Sequence, residues 1–316
     1  MHQPTLLSLP LAAHGKNGWP WTKGTNEFPS HMPDGYEWPK LSIVTPSYNQ
    51  GKFIEETIRS VLLQNYPNLE YIIIDGGSTD ESISIIKKYQ PWLAYWVSEK
   101  DEGQSDAINK GFAKSTGNIM GWINSDDLLM PYALFEIASK IDTKLPEWFT
   151  SPTIVINERG NRKFIHTISQ VTANSFYTYQ IDWIPQPSTY WTRLMWDQVG
   201  SINTRLRYVM DVDLFFRMLQ ITTPKIHTTP LSCYRVHPCA KTIGEAELSI
   251  EEYAVWFCQE VLGVRHVSKG RLDIDFTDMI KQSIAAHAKI QHIEKHIIIG
   301  RALKLWRRYI NSNLGR

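Results

Sequence analysis

The sequence lacks several features that would assign the chain to a broad class of protein. No apolar run approaches the roughly 20 residues of a membrane-spanning helix, and residues 1–15 lack the basic leading region of a signal peptide. The 33 Lys and Arg residues balance 32 Asp and Glu residues, so the overall charge gives no indication of nucleic-acid binding. The three cysteines have an odd count and no metal-type spacing, which favours a reducing, cytoplasmic compartment.

The first half of the chain alternates between apolar runs and segments with helical spacing. The 316 residues are 42% hydrophobic, which is ordinary for a globular enzyme with a sizeable core. The pattern predicts strands at 41–45, 69–74, 93–98 and 117–123, and helices at 52–64, 82–89 and 103–115. This order predicts an α/β fold with a mostly parallel central sheet flanked by helices. A hairpin is predicted at 154–165, a helix at 211–219, and further helices from about residue 246.

Two adjacent carboxylates, Asp126 and Asp127, follow the fourth predicted strand. Open α/β sheets bind their ligands at the carboxyl ends of the strands. Paired carboxylates repel each other unless a cation lies between them, and a divalent cation that holds a diphosphate satisfies this need. The alternative is that Asp127 caps a helix that begins at Leu128. The chain contains neither a dinucleotide-binding glycine fingerprint nor a Walker phosphate loop.

Four motifs occur in one order along the chain. They are Thr45-Pro46-Ser47-Tyr48-Asn49, Ile74-Asp75-Gly76-Gly77-Ser78-Thr79-Asp80, Asp106-Ala107-Ile108-Asn109-Lys110-Gly111 and Asn124-Ser125-Asp126-Asp127. Together they resemble the family 2 glycosyltransferases, whose fold is called GT-A, and the resemblance covers roughly residues 41–240. It implies an inverting enzyme that moves a sugar from a nucleotide-sugar donor to an acceptor hydroxyl.

The resemblance implies a set of donor-binding residues. Tyr48 would lie against the base, because an aromatic face gives stacking at low entropy cost, and Asp75 would accept a hydrogen bond from base or ribose. The remaining donor-binding residues are Pro46, Asn49, Asp106, Asn124 and Ser125. Gly76 stands where many relatives have a second Asp. A UDP-sugar is the favoured donor, with GDP- and dTDP-sugars as alternatives.

The segment Asn124-Ser125-Asp126-Asp127 occupies the place of the family's D-x-D motif, with an amide at the first acidic position. Asp126 would be the leading ligand of Mn²⁺ or Mg²⁺, with Asp127 as a second ligand or orienting group. His237, in Tyr234-Arg235-Val236-His237, would be a third ligand. The metal would bridge the donor phosphates and offset charge on the leaving diphosphate.

A second acidic motif, Met210-Asp211-Val212-Asp213, supplies the catalytic carboxylate in the resemblance. Asp211 takes the position of the general base, which removes the proton of the acceptor hydroxyl, and Asp213 competes for this role. The alternative is that both residues merely cap a helix. The resemblance also implies that Trp183 and Gln186 lie in an acceptor-facing loop and bind the acceptor, with core filling as the alternative for Trp183.

The expected organisation is an irregular leader (1–40), a catalytic domain (41–240) and a C-terminal helical region (241–316). Residues 41–128 would form the nucleotide-sugar half of the catalytic domain and residues 129–240 the acceptor half. The basic, amphipathic stretch from Lys281 to Arg316 favours either peripheral contact with the inner face of a membrane or packing on the catalytic domain.

A glycan or lipid-linked glycan is the expected acceptor, in surface polysaccharide assembly, and no nucleic-acid partner is expected. Two other functions remain open. One is a nucleotidyltransferase, which also uses metal-binding carboxylates on a parallel sheet. The other is a non-catalytic sugar-binding protein on a transferase fold, which the residues Asn124 and Gly76 leave open.

Overall fold

The computed structural model describes residues 4–12, 14–26, 29, 31–32, 34–168, 170–172, 184–241, 245–256 and 259–260. Trp183, the basic stretch from Lys281 to Arg316 and most of the predicted C-terminal helices lie outside these residues. None of the described helices is long and apolar enough to cross a membrane.

The predicted alternation of strands and helices forms the α/β centre of the fold. Strands β1 to β4 run parallel in the order β4-β1-β2-β3. The strands are β1 (Leu41–Ser47), β2 (Leu69–Asp75), β3 (Tyr95–Ser98) and β4 (Ile119–Trp122). They alternate with α1 (Ile54–Leu62), α2 (Ser82–Tyr89) and α3 (Gln104–Lys114). Strands β1 and β4 are buried throughout, as expected for apolar runs inside a parallel sheet.

The later part of the chain extends this sheet and builds a second one. Strands β9, β6 and β10 continue the large sheet beyond β4, and β9 is antiparallel to both β4 and β6. The small sheet has the order β5-β11-β7-β8 and contains the predicted hairpin as the antiparallel pair β7–β8. The strands are β5 (Leu128–Leu129), β6 (Trp148–Thr150), β7 (Thr153–Asn157), β8 (Arg162–His166), β9 (Tyr190–Thr192), β10 (Lys225–Ile226) and β11 (Ser232–Val236). The helices are α4 (Ala133–Lys140), α5 (Arg193–Val199), α6 (Met210–Leu219) and α7 (Ala246–Trp256).

Helix α6 is fixed to the large sheet by aromatic stacking. The Phe215 ring is stacked on Trp122 and Trp148, at centroid distances of 6.4 and 5.9 Å. All three side chains are buried, and burial of large rings dominates core energetics. The first turn of α6, which carries Asp211, is therefore held against the carboxyl end of β4, where Trp122 is the last residue.

The described part of the leader is bound to α1 through one buried arginine. The Arg59 guanidinium donates to the carbonyl oxygens of Pro10, Pro20 and Trp21 at 2.8 to 3.0 Å and to the Tyr89 hydroxyl at 3.0 Å. The rigid fork of donors in a guanidinium suits several acceptors at once. These residues of the leader therefore pack on the α/β centre.

Helix α3 approaches β1 closely at Gly111, which makes this position sensitive to substitution. A Cβ atom at Gly111 would fall within 2.9 Å of Val44 Cγ2 and closer still to Val44 Cγ1. We predict that Gly111→Ala lowers the free energy of unfolding by about 1–3 kcal/mol, because overpacking forces shifts in a close-packed core. Urea unfolding measures this change.

Gly24→Ala is the matched control, since a Cβ there meets its neighbours at an ordinary 3.8 Å. We expect it to change the stability by no more than about 0.5 kcal/mol. In a double-mutant cycle, Val44→Ala should offset part of the Gly111→Ala cost by about 1 kcal/mol. Strict additivity of the two changes would show that the predicted clash is not the cause.

Candidate active site

A cavity of about 650 Å³ opens at the carboxyl ends of the central parallel strands. Loops from both halves of the chain contribute to this cavity. The carboxyl ends of the strands are also where open α/β sheets bind their ligands. The predicted site residues that line it are Pro46, Tyr48, Asn124, Ser125, Asp126, Gln186 and Asp211. Lining residues to which the sequence assigned no individual role include Ser47, Asp101, Gln104, Arg207, Arg235 and Lys241.

Asp126 lines this cavity and pairs with His237, which is buried and is not among the lining residues. Asp126 Oδ2 lies 2.9 Å from His237 Nε2. The His237 ring is buried and packs on Phe53 at a centroid distance of 4.7 Å, so its position is fixed. Within the described residues, no group of three or more His, Cys, Asp or Glu side chains could hold a metal ion. The pair would thus need further oxygen ligands from outside the protein to complete a coordination shell.

Asp127 is placed differently from its neighbour. It is fully buried and does not line the cavity. Its Oδ1 accepts from the Arg235 backbone N–H at 2.9 Å, and its Oδ2 accepts from Asn124 Nδ2 at 3.3 Å. Burial, with the nearby Asp126 charge, raises the pKa of Asp127 well above its usual value. The helix-cap alternative is wrong, because the segment that begins at Leu128 is strand β5.

The amide at position 124 takes part in an oriented chain of hydrogen bonds. Lys241 Nζ donates to Gln104 Oε1 at 2.8 Å, and Gln104 Nε2 donates to Asn124 Oδ1 at 2.8 Å. Asn124 Nδ2 donates in turn to Gln186 Oε1 at 3.1 Å, and Gln186 Nε2 donates to the Trp122 carbonyl. Gln186, which was predicted to face the acceptor, is buried within this chain. Burial lowers the pKa of Lys241.

The residues predicted to bind the base separate into exposed and internal groups. Tyr48 is 61% exposed and lines the cavity, so its ring is available to a ligand. Asn49 joins two loops instead, because its N–H donates to Ser78 Oγ and its Oδ1 accepts from the Thr79 N–H, both at 2.8 Å.

Asp75 is fully hydrogen-bonded by donors from its own loop and from the end of β3. Its carboxylate accepts from the N–H groups of Gly77 and Ser78, at 3.2 and 2.9 Å, and from the hydroxyls of Ser78 and Ser98, at 2.6 and 2.7 Å. It is fully buried and does not line the cavity. In this structure, Asp75 organises the loop after β2.

Asp106 and Asn109 also make contacts within the protein. Asp106 Oδ2 accepts from the Glu102 N–H at 3.1 Å and pairs with Lys110 Nζ at 3.2 Å, one turn along α3. Asn109 exchanges two hydrogen bonds with the backbone of Ile202, at 2.9 and 3.0 Å. Asn109 therefore holds the loop that leads to α6, while Asp106 steadies the start of α3.

The second acidic motif presents one carboxylate to the cavity. Asp211 lies in the first turn of α6, lines the cavity and accepts from the Val212 N–H at 2.9 Å. Its burial raises the pKa of Asp211 to about 6. Asp213 is buried outside the cavity lining and accepts from Trp256 Nε1 and Arg217 Nε, both at 3.0 Å. Asp211 is thus the member of the pair with access to a substrate.

Comparison with known proteins agrees with this architecture. Residues 42–210, more than half of the chain, match the family described as glycosyl transferase family 2. An uncharacterized glycosyltransferase of Rickettsia typhi is 26% identical over 69% of this chain and 70% of its own length. A putative teichuronic acid biosynthesis glycosyltransferase, TuaG of Bacillus subtilis, is 36% identical, over 28% of this chain and 36% of its own length.

Solved structures share the fold at low sequence identity. TarS 1-349 of S. aureus, in complex with UDP-GlcNAc, is 18% identical, with a TM-score of 0.55 over 87% of this chain and 81% of that one. The mannosyltransferase PcManGT of Pyrobaculum calidifontis, in complex with GDP-Man and Mn²⁺, is 18% identical, with a TM-score of 0.51 over 87% and 83%. The predicted GT-A fold is confirmed, and the chain belongs to glycosyl transferase family 2 and is a glycosyltransferase.

Proposed function

We propose that the chain is an inverting glycosyltransferase that moves a sugar from a nucleoside diphosphate donor to an acceptor hydroxyl. One observation carries the proposal. Asp126 and Asp211 line the same cavity, whereas their neighbours Asp127 and Asp213 are buried and hydrogen-bonded to the protein. Two available carboxylates at one cavity suit two roles, one at the leaving diphosphate and one at the attacking hydroxyl.

In this mechanism Asp211 acts as the general base. The acceptor oxygen attacks the anomeric carbon, and its proton passes to the Asp211 carboxylate as the new glycosidic bond forms. The bond from the anomeric carbon to the diphosphate breaks, and the diphosphate leaves with its electron pair. A single displacement from the opposite side inverts the anomeric centre, whereas retention would require a nucleophile at that carbon. A raised pKa keeps this carboxylate basic enough to accept a proton near neutral pH.

Asp126 and His237 would hold Mn²⁺ or Mg²⁺ together with phosphate oxygens of the donor. The donor set fits, because such cations are commonly held by one or two carboxylates plus substrate phosphates. When bound, the cation would offset the charge on the leaving diphosphate. Asp127 would be the orienting group of the motif, since both of its oxygens accept hydrogen bonds from the protein.

The relatives guide the choice of donor and acceptor. A UDP-sugar is the favoured donor, by analogy with TarS and its UDP-GlcNAc, and the GDP-Man of PcManGT keeps a GDP-sugar as the alternative. The acceptor would be a glycan or lipid-linked glycan in surface polysaccharide assembly, in line with the name of TuaG. The reaction would take place at the cytoplasmic side of the membrane. A nucleotidyltransferase is disfavoured, because Pro46 to Gly51 contains no basic residue to hold a triphosphate.

The assigned base gives the first functional prediction. We expect Asp211→Asn to lower kcat for transfer about 10²- to 10⁴-fold, the usual contribution of a general base. Donor affinity, measured by isothermal titration, should remain within about threefold, because the amide preserves shape and removes only the basic group. The matched control is Asp213→Asn, which should lower thermal stability but leave the folded enzyme active. Normal turnover by Asp211→Asn would mean that another group is the base.

The pH dependence of transfer follows from the raised pKa of Asp211. Only the deprotonated carboxylate accepts a proton, so the rate should fall about tenfold per pH unit below about 6 and reach a plateau above it. The free energy of unfolding has the opposite pH dependence. It falls as the pH rises towards about 6, because burial destabilises the charged form of the Asp211 carboxylate. Asp211→Asn should therefore unfold at a higher temperature than the parent at pH 8 but not at pH 3. A rate profile without an ionisation near pH 6 would contradict the assignment.

Metal dependence tests the role of Asp126. EDTA should stop transfer, and added Mn²⁺ or Mg²⁺ should restore it. Asp126→Asn should raise the Mn²⁺ concentration needed for half-maximal rate at least about tenfold, because even outer-shell partners of a metal contribute about 10- to 100-fold to its affinity. Calorimetric titration of Mn²⁺ in the presence of UDP gives the same comparison without turnover.

The neighbouring carboxylate supplies the control for this experiment. Asp127→Asn should leave the Mn²⁺ requirement unchanged, because both oxygens of Asp127 already accept hydrogen bonds from the protein. An equal rise in the requirement for both variants would make Asp127 a ligand as well. Full activity of the parent in metal-free buffer would remove the proposed role of the Asp126–His237 pair.

A further inference from the structure

Gly76 leaves a space at the carboxyl end of β2 that another residue fills. The Gly76 N–H donates to the Ser47 carbonyl at 2.8 Å, which fixes the backbone there. A Cβ atom at Gly76 would lie 2.5 Å from Asp101 Oδ2 and 2.9 Å from Asp101 Cγ. Any side chain at position 76 would therefore displace the Asp101 carboxylate. The acid absent from position 76 is replaced in space by one from the loop after β3.

The Asp101 carboxylate is held in place by one oxygen and leaves the other available. Its Oδ1 accepts from the Gly103 N–H at 2.9 Å. No donor in the described part of the chain forms a hydrogen bond with Oδ2, the atom that lies over Gly76. The residue is half-buried and lines the cavity together with Pro46, Ser47 and Tyr48. Burial raises the pKa of Asp101, as expected for a carboxylate that lacks a full set of partners.

A second polar group in the same place also lacks a partner. Ser47 pairs in register with Asp75 at the ends of β1 and β2 and lines the cavity. Its Oγ is buried and has no hydrogen-bond partner within the described residues. A buried polar atom without a partner costs free energy. Asp75 itself offers nothing to a ligand, because four protein donors already occupy its carboxylate.

We propose that Asp101 selects the base of the donor by accepting the ring N3–H of uracil or thymine through Oδ2. The inference rests on the proposed function and assigns a specificity residue to it. The exposed Tyr48 ring lines the same cavity and supplies a face for stacking. One available oxygen matches the single ring N–H of these two bases, whereas guanine presents two adjacent donors. Cytosine carries a hydrogen-bond acceptor at N3, which the carboxylate oxygen would repel.

The test is a change of base preference in the purified full-length chain. Isothermal titration with Mn²⁺ present compares UDP with CDP, which differ only at the Watson–Crick edge of the base. The parent should bind UDP at least about tenfold more tightly than CDP, since one charged hydrogen bond is worth at least that factor. Asp101→Asn should bind CDP more tightly than UDP, because its amide can donate to cytosine N3.

Two further variants separate this role from a general effect of charge or folding. Glu102→Gln removes one negative charge from an exposed neighbour that lines the cavity and should retain the UDP preference. Gly76→Ala keeps the Asp101 carboxylate but displaces it. UDP affinity should therefore fall towards CDP affinity, but CDP should not become the tighter ligand. This second variant keeps the test decisive if Asp101→Asn does not fold.

The remaining outcomes are distinct. An equal loss of UDP and CDP affinity in Asp101→Asn would assign the residue to ribose and overturn the inference. Tighter binding of GDP than of UDP by the parent would overturn it as well. An unchanged ratio of UDP to CDP affinity in both Asp101→Asn and Gly76→Ala would overturn it while the proposed function stands. Failure of the parent to bind any of the three nucleotides would remove the proposed function itself.

Discussion

The buried guanidinium of Arg235 joins the two sheets, and the site depends on it. Its Nε donates to the Asp126 carbonyl at 2.8 Å, its Nη2 pairs with Glu56 of α1 at 2.9 Å, and its backbone N–H donates to Asp127 Oδ1. Strand β11 of the small sheet is thereby fastened to the connection between β4 and β5 and to a helix of the large sheet. His237 follows one residue after β11, so the same contacts bring it to Asp126. Removing one partner from such a buried set leaves an uncompensated charge, which is strongly destabilising.

The acidic residues of the site follow a common physical rule. A carboxylate with all its oxygens satisfied by protein donors is a structural element, and one with an oxygen left over is available to a ligand. Asp127, Asp213 and Asp75 belong to the first class, and Asp126, Asp211 and Asp101 to the second. In the pairs Asp126–Asp127 and Asp211–Asp213, the satisfied member anchors the loop or helix that presents the other. Anchoring limits the conformational freedom of the presenting segment, which pre-organises the site.

The sequence predicts the fold well, because apolar periodicity and polar strand ends depend on near neighbours. The strands predicted at 41–45, 69–74, 93–98 and 117–123 and the hairpin at 154–165 are all present, with ends that shift by a few residues. Which carboxylate of each pair is available at the cavity could not be predicted, because this depends on hydrogen-bond donors far along the chain. Asp127 is satisfied by Arg235 and Asp213 by Trp256, and neither donor has a local sequence pattern that reveals the contact. Asp101 received no individual role for a related reason, since the space above Gly76 exists only once β2 and β3 are paired.

The amide at position 124, where an acid is usual in the family, also follows from the hydrogen-bond partners around it. The position must accept from Gln104 and donate to both Gln186 and Asp127. A carboxylate can accept but cannot donate unless it is protonated, so an Asp here would lose two hydrogen bonds. It would also lie against the buried Asp127, whose pKa is already raised by burial and by Asp126. Asn124 therefore meets a local requirement of the amide chain. The negative charge of the motif at the cavity is then concentrated on Asp126, next to His237, where a cation would be bound.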